Sequence, residues 1–302
     1  MVTVIAATTA GCAQSGVADT PVPATTAKAR QAVPEPLTWR QELRITDALQ
    51  RLTKQCMNRH GFAYWEERTL NLRESHPVPY VQDDVSWART YGYGGRIDVK
   101  SERARERNPI GTYRESLPPA RRAAFDTALD GGADSRILTA PLPAGGAIRK
   151  RIGGCTEEAE RTLYGDPAEW FRTSKIAMNL SALYRTDLMK DHRLIMALRA
   201  WSRCMKKAGQ PYPDPQAARD AARVNTSRLG TARADEAFAA ERETAVADAT
   251  CARRTSLRAV AKDRERYYRN RLRNRFGKDL DTYHRLGLRA YNQAVHIVPE
   301  RD

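Results

Sequence analysis

Residues 56–64 read CMNRHGFAY and residues 204–212 read CMKKAGQPY, so a C-M-x-x-x-G-x-x-Y pattern recurs, with Cys56, Met57, Gly61 and Tyr64 answered by Cys204, Met205, Gly209 and Tyr212. An apolar stripe at helical spacing precedes each copy: Ile45, Leu49, Leu52 and Cys56 in the first, Leu194, Leu198, Trp201 and Met205 in the second. The glycine that follows supplies the left-handed stop of a helix, which places each cysteine in a last helical turn. Downstream of each copy stands one more cysteine, Cys155 in GGCTEEAERTLYG and Cys251 in AVADATCARRTSLRAV. The chain therefore reads as two pseudo-repeats, about 38–165 and 166–302, each offering a cysteine pair. Whether they share one core is left open by the pattern.

Four body cysteines allow three connectivities. The repeat argues for Cys56–Cys155 with Cys204–Cys251, because each half then carries the same clasp. Such bridges persist in an oxidising compartment. The competing reading is four reduced core cysteines in a cytosolic protein, since cysteine is among the most buried residue types.

The totals agree with a helical protein. Hydrophobic residues make up 41% and charged ones 29%, with Ala, Arg and Leu prominent and few β-branched runs, a balance that favours helix. The expected fold is mainly α: a helical bundle of two disulfide-clasped halves with a long, loop-rich insertion in the first. A net charge of +15 implies attraction to polyanions such as nucleic acid, anionic lipid or wall polymers.

Cys12 stands apart in MVTVIAATTAGC, a short apolar run closing in small residues. Thr9-Ala10-Gly11-Cys12 resembles the lipobox of a bacterial lipoprotein signal, which would make Cys12 the lipidated residue and 1–12 a truncated signal-like segment. The missing basic start places the true initiation upstream of Met1. Residues 13–37, rich in Ala, Pro and Thr, lack apolar periodicity and read as a disordered tether. The helical body then spans 38–302.

Within the body, Thr38 and Gln41 form a capping-box signature for a helix over about 39–59. Asp84 can cap a short helix ending at Gly92, and Pro118-Pro119 introduces another that ends near Gly131. Residues 93–115 and 132–154 read as loop, the second with a short hairpin of ILTAPL against AIRKRI. From Cys155 the helical signal strengthens. Asp166 launches a helix through Trp170, Ile176, Leu180 and Tyr184, and Asp191 caps the next, which carries the second motif. A short helix covers 215–223, a long one runs from Thr231 to about Phe276, and a last one spans about 279–295.

The order of a helix ending in C-M-x-x-x-G-x-x-Y, a G-C-x-x-x-A helix ending Leu163-Tyr164-Gly165, and Glu243-x-x-Val246-Ala247-x-Ala249-x-Cys251 resembles actinobacterial secreted or lipid-anchored helical proteins of uncharacterised function. The resemblance covers nearly all of 39–295. It implies an exported helical protein and transfers no catalytic residue.

Candidate sites are few. Cys56-x-x-x-His60 puts two ligand types on one helical face, but a structural zinc site needs four donors, and His76, His192, His284 and His296 lack ligand spacing. No metal or cofactor is expected. The paired acids Glu66-Glu67, Asp83-Asp84 and Glu157-Glu158 are adjacent in sequence, whereas hydrolytic acid–base work sets two carboxylates apart across a cleft. Residues 253–278 concentrate arginine, with Arg264, Arg266, Arg269, Arg271, Arg273 and Arg275 as a candidate polyanion-binding face. Basic positions fall at almost every helical register there, which equally describes a helix whose charges face water.

These signs point to an extracytoplasmic, lipid-anchored binding protein of the bacterial cell envelope, membrane-bound through its lipid, whose partner is a wall polyanion or an envelope protein complex. Two rivals remain. One is a secreted enzyme acting on cell-wall material through a cleft in 62–154; the other is a cytosolic nucleic-acid-binding protein using the arginine-rich helix.

Overall fold

Helix α1 (Trp39–Arg59) opens on the expected box: Gln41 Oε1 accepts from the Thr38 backbone N–H at 2.8 Å, and Thr38 Oγ1 accepts from Gln41 N–H at 3.4 Å. The computed structural model describes residues 36–301. Cys12, the segment 1–12 and nearly all of the tether 13–37 lie outside them. The remaining elements are α2 (Leu72–Ser75), α3 (Val85–Tyr91), α4 (Gly95–Glu106), α5 (Ile110–Ser116), α6 (Pro119–Asp130), the strands β1 (Arg136–Pro141) and β2 (Ala147–Ile152), α7 (Gly154–Tyr164), α8 (Pro167–Asn179), α9 (Arg185–Met189), α10 (His192–Lys207), α11 (Pro215–Leu229), α12 (Ala234–Arg254), α13 (Leu257–Arg271) and α14 (Arg273–Ile297). The fold is mainly α, with one antiparallel hairpin that pairs Arg136 with Ile152 and Pro141 with Ala147. Among the described residues no helix is long and apolar enough to cross a membrane.

The two motif copies end their helices in the same way. Gly61 sits at φ +75° and Phe62 N–H donates to Met57 O at 3.0 Å; Gly209 sits at φ +76° and Gln210 N–H donates to Met205 O at 2.9 Å. A left-handed residue followed by a bond back across the last turn satisfies carbonyls the helix leaves open.

Both clasps are closed. Cys56–Cys155 spans 99 residues with Cα atoms 5.5 Å apart, and Cys204–Cys251 spans 47 residues with Cα atoms 5.6 Å apart. In the loop-entropy picture such closures each stabilise by about 4–5 kcal/mol before native strain is subtracted. The repeat stops at the motif, however. Cys155 lies in the first turn of α7, whereas Cys251 lies in the last turn of α12, so each clasp meets its partner helix at a different end.

The core does not divide where the repeat does. Helix α14 lies against α1, α7 and α8, and one apolar cluster joins Ile45, Ala48, Leu163 and Tyr164 to Ala290, Ala294 and Val298. Conversely, Val81 of the insertion enters the cluster built by Leu194, Trp201, Met205, Cys251 and Leu257. Each half completes the other's interior.

Four expectations are corrected. Residues 93–115 are not loop: α4 and α5 occupy most of them. Their apolar periodicity is poor, and α4 is instead started by a distant carboxylate. Glu241 of α12 accepts from Tyr93 N–H at 2.7 Å and Gly95 N–H at 3.3 Å, where negative charge suits a helix N-terminus. A Cβ on Gly92 or Gly95 would stand 2.6 or 2.9 Å from the Glu241 carboxylate oxygens, so glycine is what lets it approach. The helix from Asp166 stops at Asn179, and a 3-10 turn over Leu180–Leu183 leads into α9. Finally, the long helix from Thr231 to Phe276 is broken. Ser256, at φ +54°, turns the chain so that Leu257 enters the core, and a second break at Leu272 separates α13 from α14, which runs through Gly277 and absorbs the expected last helix. The short helix of 215–223 also extends to Leu229.

Candidate functional site

A cleft of about 430 Å³ opens between the start of α1, the segment 72–87 and α13. Trp39, Arg73, His76, Trp87 and Arg258 line it together with Gln82. Its aromatic walls are fixed by their own hydrogen bonds: Trp39 Nε1 donates to Ser75 Oγ at 3.3 Å, and Trp87 Nε1 to the Arg73 carbonyl at 3.2 Å. His76 meets Trp39 edge-on, ring centres 6.2 Å apart. The Gln82 amide oxygen accepts from the backbone N–H groups of Asp83 and Asp84, at 3.0 and 3.1 Å, which stiffens the floor.

The charges at the cleft are largely paired, Arg40 with Glu300 at 2.5 Å and Arg258 with Asp83. Arg40, Arg73 and Arg258 line it, and among its described lining residues Asp84 is the one carboxylate. That carboxylate is engaged in capping α3, accepting Trp87 N–H at 2.9 Å. Two carboxylates facing each other across a space, which a glycosidase-like enzyme requires, are not assembled here.

Behind the cleft stands a buried polar post that sequence reasoning missed. Asp248 of α12 is fully buried; its Oδ1 accepts from Trp201 Nε1 at 2.9 Å and its Oδ2 from the Tyr93 hydroxyl at 3.1 Å. Burial pushes this carboxyl up to about 6, against the opposing pull of Arg219 and the two hydrogen bonds. Burial and the Asp248 charge likewise raise the Tyr93 phenol. Arg219 donates to the carbonyls of Pro79 and Tyr80, at 2.6 and 2.9 Å, and so holds the segment that walls the cleft. Asp248 shares a helical face with Ala245, Ala249 and Ala252, all buried, and an acid on such an alanine stripe is the signal that would have found it.

The candidate polyanion residues are divided between two helices by the break at Leu272. Arg264, Arg266, Arg269 and Arg271 belong to α13, while Arg273 and Arg275 begin α14. Arg264 is committed inward: its Nε donates to Asp191 Oδ2 at 2.9 Å and its guanidinium lies 4.2 Å from the centre of the Tyr267 ring. Asp191 simultaneously caps α10, accepting from Arg193 and Leu194 N–H at 3.0 and 3.2 Å. Arg273 pairs with Asp281 at 2.7 Å, and Arg275 stacks 4.8 Å from the Phe276 ring. Arg266, Arg271 and Arg275 are exposed, and Arg269 is half-buried.

At the first clasp Cys56, His60 and Cys155 converge, with candidate ligand atoms within 4.8 Å of one another. Both sulfurs are bonded to each other, so neither is a thiolate donor. Tyr64 packs on the cluster that holds this clasp, and Tyr212 on the one that holds Cys251, giving the aromatic at the end of each motif a packing role. Comparison with protein-family models, curated proteins and solved structures finds no match for this chain.

Proposed function

We propose that the protein is an extracytoplasmic binding protein of the bacterial cell envelope, held to the membrane through a lipid on Cys12, with the cleft beside α1 as its binding site. The observation that carries this reading is the pair of clasps, because disulfides on structural helices persist where thiols are not kept reduced. The lipobox-like Thr9–Cys12 and the resemblance to actinobacterial exported proteins support it from the sequence side. An aromatic-walled recess with no acid–base pair assembled among its described lining residues supports binding over hydrolysis.

Metabolic labelling with an alkyne fatty acid in a bacterial host carrying the full reading frame tests the anchor. Label that is present in the parent and lost in Cys12→Ala is expected. Maleimide capture of Cys56, Cys155, Cys204 and Cys251 in freshly lysed cells would remove the exported reading.

A further inference from the structure

We infer that the first clasp is a redox-gated metal site: with the Cys56–Cys155 bridge reduced, the two thiolates and His60 hold a thiophilic divalent cation of the zinc class, and closing the bridge expels it. This goes beyond the binding role proposed above and does not depend on it.

The donors are already gathered. The two sulfurs and a ring nitrogen of His60 lie within 4.8 Å of one another. Cys56 and His60 stand four residues apart at the end of α1, the spacing that stacks side chains on one helical face. Glu158, three residues after Cys155 on α7, brings Oε2 to 3.5 Å from Cys56 Sγ, while its Oε1 pairs with Arg59. Two sulfurs, one imidazole and one carboxylate are the donor kinds that zinc accepts in fourfold coordination. Donors placed tetrahedrally at about 2.0–2.3 Å from a metal stand about 3.3–3.8 Å apart, so His60 has to close by about 1 Å and the sulfurs have to part. The His60 ring has the freedom to do so: it is exposed and has no hydrogen bond or ion pair of its own among the described residues. Its exposure also gives a cation a way in to two sulfurs that are otherwise buried.

The second clasp supplies the contrast. Four residues after Cys204 stands Ala208, and three residues after Cys251 stands Arg254, neither of them a metal ligand. A bridge at a motif end therefore forms without a histidine and a carboxylate beside it. Only at the first clasp, among the described residues, do three such donors come this close.

The exchange balances. A dithiol reductant gives two electrons and two protons, opening the S–S bond to two thiols and becoming a disulfide itself. Metal binding then displaces the two thiol protons. In reverse, a disulfide oxidant takes two electrons from the thiolates, re-forms the bridge and leaves as a dithiol with two protons from water, and the cation is released.

Titration of the full chain with Co²⁺ and then Zn²⁺, after reduction by a phosphine without oxygen, tests the inference. One equivalent of Co²⁺ should raise a thiolate-to-cobalt charge-transfer band and tetrahedral d–d bands, which Zn²⁺ abolishes; the oxidised chain should show neither. If reduction alone unfolds the chain, circular dichroism should show helix returning with Zn²⁺, since metal binding is then coupled to folding. His60→Ala should weaken Co²⁺ about tenfold or more while the oxidised variant melts with the parent, a split that a merely structural histidine would not give. The bands should persist in Cys204→Ser with Cys251→Ser and vanish in Cys56→Ser with Cys155→Ser. Absence of the bands from the reduced parent, unchanged affinity in His60→Ala, or bands that follow the second cysteine pair instead of the first would each overturn the assignment. None of these results touches the labelling of Cys12 or ligand binding in the cleft, so the metal site and the binding role fail separately.

Discussion

Arg301 grips Asp47 with two guanidinium nitrogens across 254 residues of sequence: Nε donates to Oδ2 at 2.7 Å and the terminal nitrogen to Oδ1. Asp47 is 1% exposed on the inner face of α1, and Arg68 adds a third donor at 3.2 Å. Breaking one partner of a buried ion pair leaves an uncompensated charge, a loss of about 3–5 kcal/mol. Arg301→Ala should therefore lower the unfolding free energy read from urea titration by an amount in that range, softened where Arg68 compensates. A change under about 0.5 kcal/mol would mean the pair is not formed in solution.

Reduction should expose how much the clasps contribute. Intact mass after reduction and unfolding is expected to rise by four hydrogens, two from each bridge. Cys56→Ser with Cys155→Ser, and separately Cys204→Ser with Cys251→Ser, should each cost up to about 4–5 kcal/mol. The first pair closes the longer loop and is expected to cost slightly more. Chemical unfolding with and without dithiothreitol reads both effects.

The pH dependence of stability should carry the mark of Asp248. Its folded value of about 6 lies above the ordinary 3.8, so the folded chain holds this proton more tightly than the unfolded one. The stabilisation from this group is fully present below about pH 4 and is lost as pH rises through about 6, up to about 3 kcal/mol in all. Unfolding free energies for the parent and Asp248→Asn at pH 5 and at pH 7.5 isolate it. The difference between the two proteins should change between those pH values; a constant difference would show that Asp248 titrates normally.

The arginine-rich stretch should split into two behaviours. Arg264, anchored to the Asp191 cap, is a structural residue, and Arg264→Ala is expected to destabilise by about 2–3 kcal/mol. Arg266→Ala, at an exposed position, should stay within about 0.5 kcal/mol. If Arg266, Arg271 and Arg275 act as a polyanion face, their triple alanine variant should elute from heparin at lower salt. Unchanged elution would make them solvated charges.

Local chemistry explains what could be read in advance. The Thr38 box, the Asp84 and Asp191 caps, the glycine stops and the hairpin each depend on residues a few positions apart, and all were legible. Helix α4 was not, because its N-terminal carboxylate arrives from Glu241 on α12. Nor was the turn at Ser256: it adopts positive φ without being glycine, held there while Leu257 packs inward. The cleft was invisible for the same reason, since Trp39, Trp87 and Arg258 meet only through the tertiary fold.

The contact of α1 with α14 makes the two ends of the described body a single place, with Arg40 paired to Glu300 at 2.5 Å and Arg44 donating to the Val298 carbonyl at 3.0 Å. In topological terms the body is already a ring lacking one short link. A circular permutant that joins residue 301 to residue 36 and opens at the exposed hairpin tip, Ala144–Gly145, would keep every helix in position. It should melt with the parent protein while carrying its new termini at the hairpin tip.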